Sequence, residues 1–288
     1  MRSLLKSPLL SILLACAVAG PALAAPAPAP APAPAFPAAD YRPIPLDRLM
    51  VIDTSKGRVV VELSPELAPE HVERMTILAK RGFYDGLQFF RVIDDFMDQT
   101  GDPNNDGKGG SDLPNLKGQF SFRHAETGGF VPVGKLPDGT EYGFVGPSPA
   151  ISQPSALALL MADGKVRAYG LFCPGVAGMA RAGDPDSANS QFYLMRGAAP
   201  ALDQKYTPWG RVVQGLEVVR AIAQGEPPPA PDRMTRVRMA ADLPSAEQPR
   251  LSRVDPTSAA FRAQAAATAA ARGSAFTPCD LELPVKVG

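Results

Sequence analysis

The residue types that could do chemistry in this sequence stand together in three segments, the first with an arginine set among aromatic and thioether side chains. That arginine lies in Phe89-Phe90-Arg91-Val92-Ile93-Asp94-Asp95-Phe96-Met97-Asp98-Gln99-Thr100-Gly101-Asp102-Pro103. Two more segments carry comparable mixtures. One is Gly178-Met179-Ala180-Arg181-Ala182-Gly183, running on to Asn189-Ser190-Gln191-Phe192-Tyr193-Leu194; the other runs from Leu202-Asp203-Gln204-Lys205-Tyr206-Thr207 to Val213. A guanidinium has a fixed charge and a fork of donors, so beside an apolar seat it can stabilise charge developing on a bound group with no covalent step. Taken singly, these residues have plainer readings. Arg91 would be a half-buried ion-pair partner, Phe96, Met97 and Leu202 core, and Gln191 a satisfied polar group.

Competing chemistries find little support. The only histidines are His71 and His124, which argues against a His-rich metal site or a His-based triad. His71 falls in a helical pattern with Glu70 and Glu73, on a face read as solvated. No P-loop, G-x-S-x-G or H-E-x-x-H motif occurs. Cys173 lacks a nearby histidine or activating motif and reads as a structural thiol. Asp102-Pro103-Asn104-Asn105-Asp106-Gly107 matches the front half of a calcium loop, but Leu113 stands where the bidentate glutamate belongs. A Gly/Asn-rich turn is the better reading, and no metal is expected.

The elements that must position these residues are mostly strands. Met50–Ile52 and Arg58–Leu63 flank Ser55-Lys56-Gly57 as a hairpin. Pro69 opens a helix with Val72, Met75, Leu78 and Ala79 on one face, and Gly82 stops it. Leu87–Ile93, Gly175–Ala180, Gln191–Met195, Trp209–Val213 and Met234–Met239 have strand character, and Leu216–Ile222 reads as a second short helix. Strands that do not alternate with helices argue for an antiparallel β or α+β fold. Within 111–170, the turns Pro137-Asp138-Gly139 and Asp163-Gly164 suggest two further hairpins, and Pro256–Arg272 could form a helix ended by Gly273.

In order and spacing, the three segments resemble the cyclophilin family of peptidyl-prolyl cis–trans isomerases, with patterns F-H-R-V-I-x-x-F-M-x-Q-G-G-D, M-A-N-A-G…S-Q-F-F-I and L-D-G-K-x-T-x-F-G-R-V. Gly82-Phe83-Tyr84-Asp85-Gly86 and Gly107-Lys108-Gly109-Gly110 are similar to family landmarks. The resemblance covers about residues 46–242, interrupted by 111–170. It implies a mainly β fold: a closed antiparallel barrel of about eight strands capped by two α-helices, with an insertion and a C-terminal extension. It also implies catalysed rotation about Xaa-Pro bonds without cofactor or metal. Arg91 takes the position of the catalytic arginine, and Gln99 holds it and hydrogen-bonds the substrate backbone. Phe96, Met97, Tyr193 and Leu202 seat the proline ring. Ala180, Arg181 and Gln191 line the peptide groove.

Phe90 and Tyr206 occupy substrate-binding positions where the family often carries histidine. Tyr193 replaces a phenylalanine, and Arg181 replaces an asparagine with a mainly backbone contribution. Ala201 stands where an aromatic is usual, which implies weak cyclosporin binding. The alternative to an enzyme is a module of the same fold that holds proline peptides but turns over poorly.

Composition sets the wider frame. The 288 residues carry 29 basic and 29 acidic side chains, so charge gives no reason to expect nucleic acid or an anionic membrane as partner. The expected partners are Xaa-Pro segments of unfolded or folding polypeptides, and the expected state is a monomer. Residues 1–24 read as an export signal, with Arg2 and Lys6 before an apolar Leu9–Val18 stretch and cleavage near Ala24. A rival lipoprotein box at Leu13-Leu14-Ala15-Cys16 would tether the chain to a membrane through Cys16. Either way the domain is exported, with the periplasm as expected location. Residues 25–45 form an Ala/Pro-rich linker, 46–244 the isomerase-like domain, and 245–288 an Ala-rich extension. In an oxidising compartment Cys173 and Cys279 could be bridged or remain two buried thiols; spacing leaves both open.

Overall fold

The structure, a computed structural model, describes residues 36–125 and 129–288. The expectations for the signal segment, Cys16 and residues 25–35 lie outside the described residues. Within the stretch whose composition reads as a linker, β1 (Tyr41–Pro43) forms and pairs with β15 (Leu251–Val254), which also pairs with β16 (Val285–Val287). Pro43 is compatible with this strand because β1 lies at a sheet edge.

The main sheet has eight antiparallel strands. In spatial order they are β14 (Met234–Met239), β2 (Leu49–Thr54), β3 (Gly57–Leu63), β13 (Pro208–Gln214), β11 (Val176–Met179), β12 (Phe192–Met195), β5 (Met97–Thr100) and β4 (Arg91–Ile93). The ladder does not close continuously, since β4 and β14 remain its edges. Two isolated bridges, Gln88↔Arg233 and Val92↔Gly225, span the gap instead. Phe89 N donates to Asp232 O at 2.9 Å there, and Val92 and Gly225 exchange two backbone bonds at 2.8 and 2.9 Å.

Strand alternation then sorts the side chains between two faces. Val92, Ala177, Leu194, Val59, Val61 and Trp209 fill one core, while Met97, Tyr193 and Met195 pack with Phe172 and Cys173 in a separate cluster on the other side of the same strands. The site belongs to that second face.

Helix α1 (Pro69–Lys80) closes over the core with Val72, Met75, Leu78 and Ala79, as its periodicity predicts. His71, expected on a solvated face, is fully buried: its Nε2 lies 2.8 Å from Lys117 O. The cause is distant in sequence, because residues from 111 onward lie against this face of the helix. Arg74 donates to Pro114 O at 2.6 Å, and burial pushes the His71 pKa down. The second helix, α2 (Leu216–Ala221), forms where the pattern placed it.

The inserted region builds its own five-stranded antiparallel sheet, in the order β6 (Phe122–His124), β10 (Val166–Gly170), β9 (Ser148–Ser152), β8 (Glu141–Val145) and β7 (Phe130–Lys135). The two turn signals fall between β7 and β8 and between β9 and β10. Helix α3 (Ala259–Arg272) is capped by Ser258, whose Oγ accepts from Phe261 N, and Gly273 follows its last residue. Phe261 and Ala265 of α3 pack with Tyr142 and Phe144 of β8, with Tyr41 against them, so insertion, extension and N-terminal strand share one core. Cys173 and Cys279 are joined by a disulfide with Cα atoms 5.2 Å apart, inside the range such bonds require.

Candidate active site

Register brings the chemistry-bearing residues into rows. Arg91 stands opposite Gln99, Gln99 opposite Tyr193, and Tyr193 opposite Gly178, across β4, β5, β12 and β11. Two residues along, Ile93, Met97 and Met195 form the next row of the same face. These rows and the loops above them enclose a cleft of ≈ 120 Å³ lined by Arg91, Phe96, Met97, Gln99, Ala180, Arg181, Tyr193, Leu202 and Tyr206.

The floor of the cleft is a packed aromatic stack. The Tyr193 ring lies 5.9 Å from Phe172 and 6.2 Å, edge-on, from Tyr206. Gly178 lies directly against it: a Cβ there would come within 2.5 Å of Phe172 Cε1 and 2.7 Å of Tyr193 Cζ. The Tyr193 hydroxyl is buried without a hydrogen-bond partner among the described residues, and burial pushes its pKa well up. Asp203 braces this layer from the side: its Oδ1 accepts from Phe172 N at 2.9 Å. Burial pushes its carboxyl up to about 6, against that hydrogen bond.

One wall is cationic. Arg91 donates from Nε to Glu226 Oε2 at 2.6 Å and makes a long contact from Nη1 to Gln99 Oε1 at 3.5 Å. Gln99 passes its own amide donor to Gln191 Oε1 at 3.0 Å, and Gln191 donates to Gly109 O at 2.8 Å. Across the mouth, the Arg181 guanidinium lies 4.4 Å over the Tyr206 ring and donates to Lys205 O at 3.0 and 3.2 Å. Its side chain therefore builds a wall, beyond the backbone contribution expected at this position. Phe120, from the inserted region, sits 5.9 Å from the same guanidinium.

Two residues expected at the site lie outside this cleft. Gln191 lines a neighbouring cleft of ≈ 570 Å³ that shares Gln99, Ala180 and Arg181. Phe90, buried at 7% exposure, lines a third cleft beside Arg91, Asn105, Asp106 and Glu226. One position along an extended chain turns it away from the row that Arg91 shares with Gln99. The acidic turn near the site is spoken for: Asp102 accepts from the backbone N–H groups of Asn104, Asp106 and Gly107 at 2.8, 3.1 and 2.6 Å. Burial pushes its carboxyl up, but those donors hold it below the usual range.

Sequence reasoning missed Glu226, Asp203, Phe172 and Phe120. Glu226 is 135 positions from Arg91, and the Val92↔Gly225 bridge sets the two side by side.

Comparison with known proteins gives the family. Residues 49–240 match the family described as cyclophilin type peptidyl-prolyl cis-trans isomerase/CLD. A probable peptidyl-prolyl cis-trans isomerase of Brucella suis is 32% identical over 190 residues, covering 62% of this chain and 73% of that protein. The peptidyl-prolyl cis-trans isomerase-like 1 of Rhizopus delemar is 31% identical over 171 residues, 59% of this chain and 77% of that one. The crystal structure of the cyclophilin AquaCyp293 from Hirschia baltica superposes with a TM-score of 0.77 at 32% identity, over 86% of this chain and 93% of that one. On the match over residues 49–240, the chain belongs to the cyclophilin-type peptidyl-prolyl cis–trans isomerase family.

Proposed function

We propose that this protein rotates Xaa-Pro peptide bonds through Arg91 and assists the folding of exported polypeptides in the cell envelope. The observation that carries the reading is the meeting of a part-exposed guanidinium with Phe96, Met97, Tyr193 and Leu202 in one cleft. The cleft of ≈ 120 Å³ has room for a five-membered ring beside that guanidinium.

The chemistry follows from the amide itself. Rotation must break resonance against a barrier of ~18–20 kcal/mol. In the planar amide the nitrogen lone pair is delocalised and accepts nothing. As the bond twists, that nitrogen pyramidalises and becomes an acceptor. A donor poised there binds the twisted state and not the planar one, so its whole contribution lowers the barrier. A hydrogen bond from a charged donor is worth about 1.5–3 kcal/mol, or roughly 10- to 150-fold in rate. Phe96, Met97, Tyr193 and Leu202 hold the ring while the bond turns. Gln99 and Gln191 present polar edges along which an extended peptide can run.

The remaining parts of the proposal concern setting. The chain acts as a monomer in the periplasm after cleavage near Ala24, with a Cys16 lipid tether as the rival form. Refolding of a denatured polypeptide whose slow phase is proline isomerisation tests the folding role. Catalytic amounts of the mature domain should speed the slow phase only. An unchanged slow phase, with peptide binding intact, would identify a binding module instead. Mass spectrometry of the envelope-fractionated protein decides between a start after Ala24 and a lipidated Cys16.

A further inference from the structure

We infer that Glu226 is a positioning residue for the catalytic guanidinium: it takes up the Arg91 Nε–H and leaves the terminal amino groups to the twisted amide. The inference rests on the role proposed above for Arg91.

The bridge between Val92 and Gly225 sets the geometry. In an antiparallel pair, the residues flanking such a bridge face each other on one side of the sheet. Arg91, before Val92, and Glu226, after Gly225, are therefore set opposite by backbone hydrogen bonds rather than by a chance surface meeting. The arm carrying Glu226 is stiff. Its backbone turns at Gly225, at φ 147°, where a Cβ would come within 2.5 Å of Pro228 Cα. Pro227, Pro228, Pro229 and Pro231 restrict the stretch beyond it. Its base is pinned by Asp232, which accepts from Ala223 N at 2.9 Å and from Ser55 Oγ at 2.6 Å.

A carboxylate on a rigid arm suits orientation. Nε bonds Glu226 at 2.6 Å, while Gln99, the other acceptor, touches Nη1 only at 3.5 Å. Gln99 alone would leave the guanidinium plane loosely held, since contacts that long are weak. Engaging Nε fixes that plane.

The test uses the mature protein with Glu226→Ala, Glu226→Gln and Arg91→Ala, read by kcat and KM for an Xaa-Pro peptide. The Nε–H proton resonance of Arg91, assigned by its loss in Arg91→Lys, is followed alongside. Glu226 is half exposed, so the variants should fold, and matched melting temperatures check this. Glu226→Ala should lower kcat roughly three- to fivefold with KM little changed, and move the Nε–H signal upfield. Glu226→Gln, which still offers an oxygen acceptor, should recover most of the rate. An unmoved Nε–H signal, or a Glu226→Ala protein as fast as or faster than wild type, overturns the inference. If Arg91→Ala is as fast as wild type, the role proposed for Arg91 has failed instead.

Discussion

Breaking the Cys173–Cys279 bond should loosen the whole fold and spare the chemistry. The two residues are 106 positions apart, and closing a loop of that length lowers the entropy of the unfolded chain by about 4.7 kcal/mol, with about 2–4 kcal/mol the usual observed range. The bond fastens the C-terminal extension to the cluster beneath the cleft, where Cys173 packs with Phe172 and Tyr193. Unfolding entropy of about 2.1 cal/mol/K per residue over the roughly 250 described residues converts that to a fall in Tm of roughly 4–9 °C. Calorimetry of the wild type with and without reductant isolates the cross-link, because reduction removes no atoms from the core. The Cys173→Ala/Cys279→Ala protein should melt lower still and ignore reductant. In the cold, peptide exchange should stay within about threefold of wild type, since Arg91, Gln99 and Tyr193 are held by the β4–β5–β12 ladder and not by the bridge. A wild-type Tm unmoved by reductant, with thiol titration showing both cysteines free, would refute the reasoning.

Three other outcomes follow from the site. Gly178→Ala should push on the Phe172 and Tyr193 rings, costing about 1–3 kcal/mol of stability and raising KM more than it lowers kcat; urea unfolding and peptide kinetics check both. Tyr193→Phe removes a buried hydroxyl with no partner among the described residues, so stability should hold or rise by up to about 1 kcal/mol; a clear loss would mean the hydroxyl is satisfied in solution. Asp203 titrates at about 6 when folded, against a usual 3.8. The folded state therefore binds its proton more tightly, and the associated stability is complete below about pH 4 and gone above about pH 6. Asp203→Asn keeps an acceptor for Phe172 N–H, so relative to wild type it should gain more at pH 8 than at pH 4. Equal differences at both pH values in urea unfolding would contradict this.

Much of this was legible because strands and caps announce themselves locally. The Ser55-Lys56-Gly57 hairpin and the Pro69 helix stand where their residues place them, and Gly273 does follow the last helix. Arg91, Phe96, Met97 and Leu202 also meet in one cleft. What stayed hidden was every contact made between distant segments. His71 read as exposed because nothing in its helix shows that Lys117 will cover it. Tyr41–Pro43 read as linker because a three-residue edge strand is defined by its partner at 252–254, not by its own composition. Phe90 was placed at the site by its position in a motif, but the two-residue period of the strand turns it aside. Glu226 had no motif at all, and the bridge at Val92 reveals it.

The most direct test is Xaa-Pro exchange in a short peptide, followed by NMR with the mature domain and its Arg91→Ala variant at equal concentration. The account predicts clear acceleration by the wild type and a loss of about 100-fold in the variant, with peptide still bound. Equal acceleration by both proteins would contradict it and move the catalytic role away from Arg91.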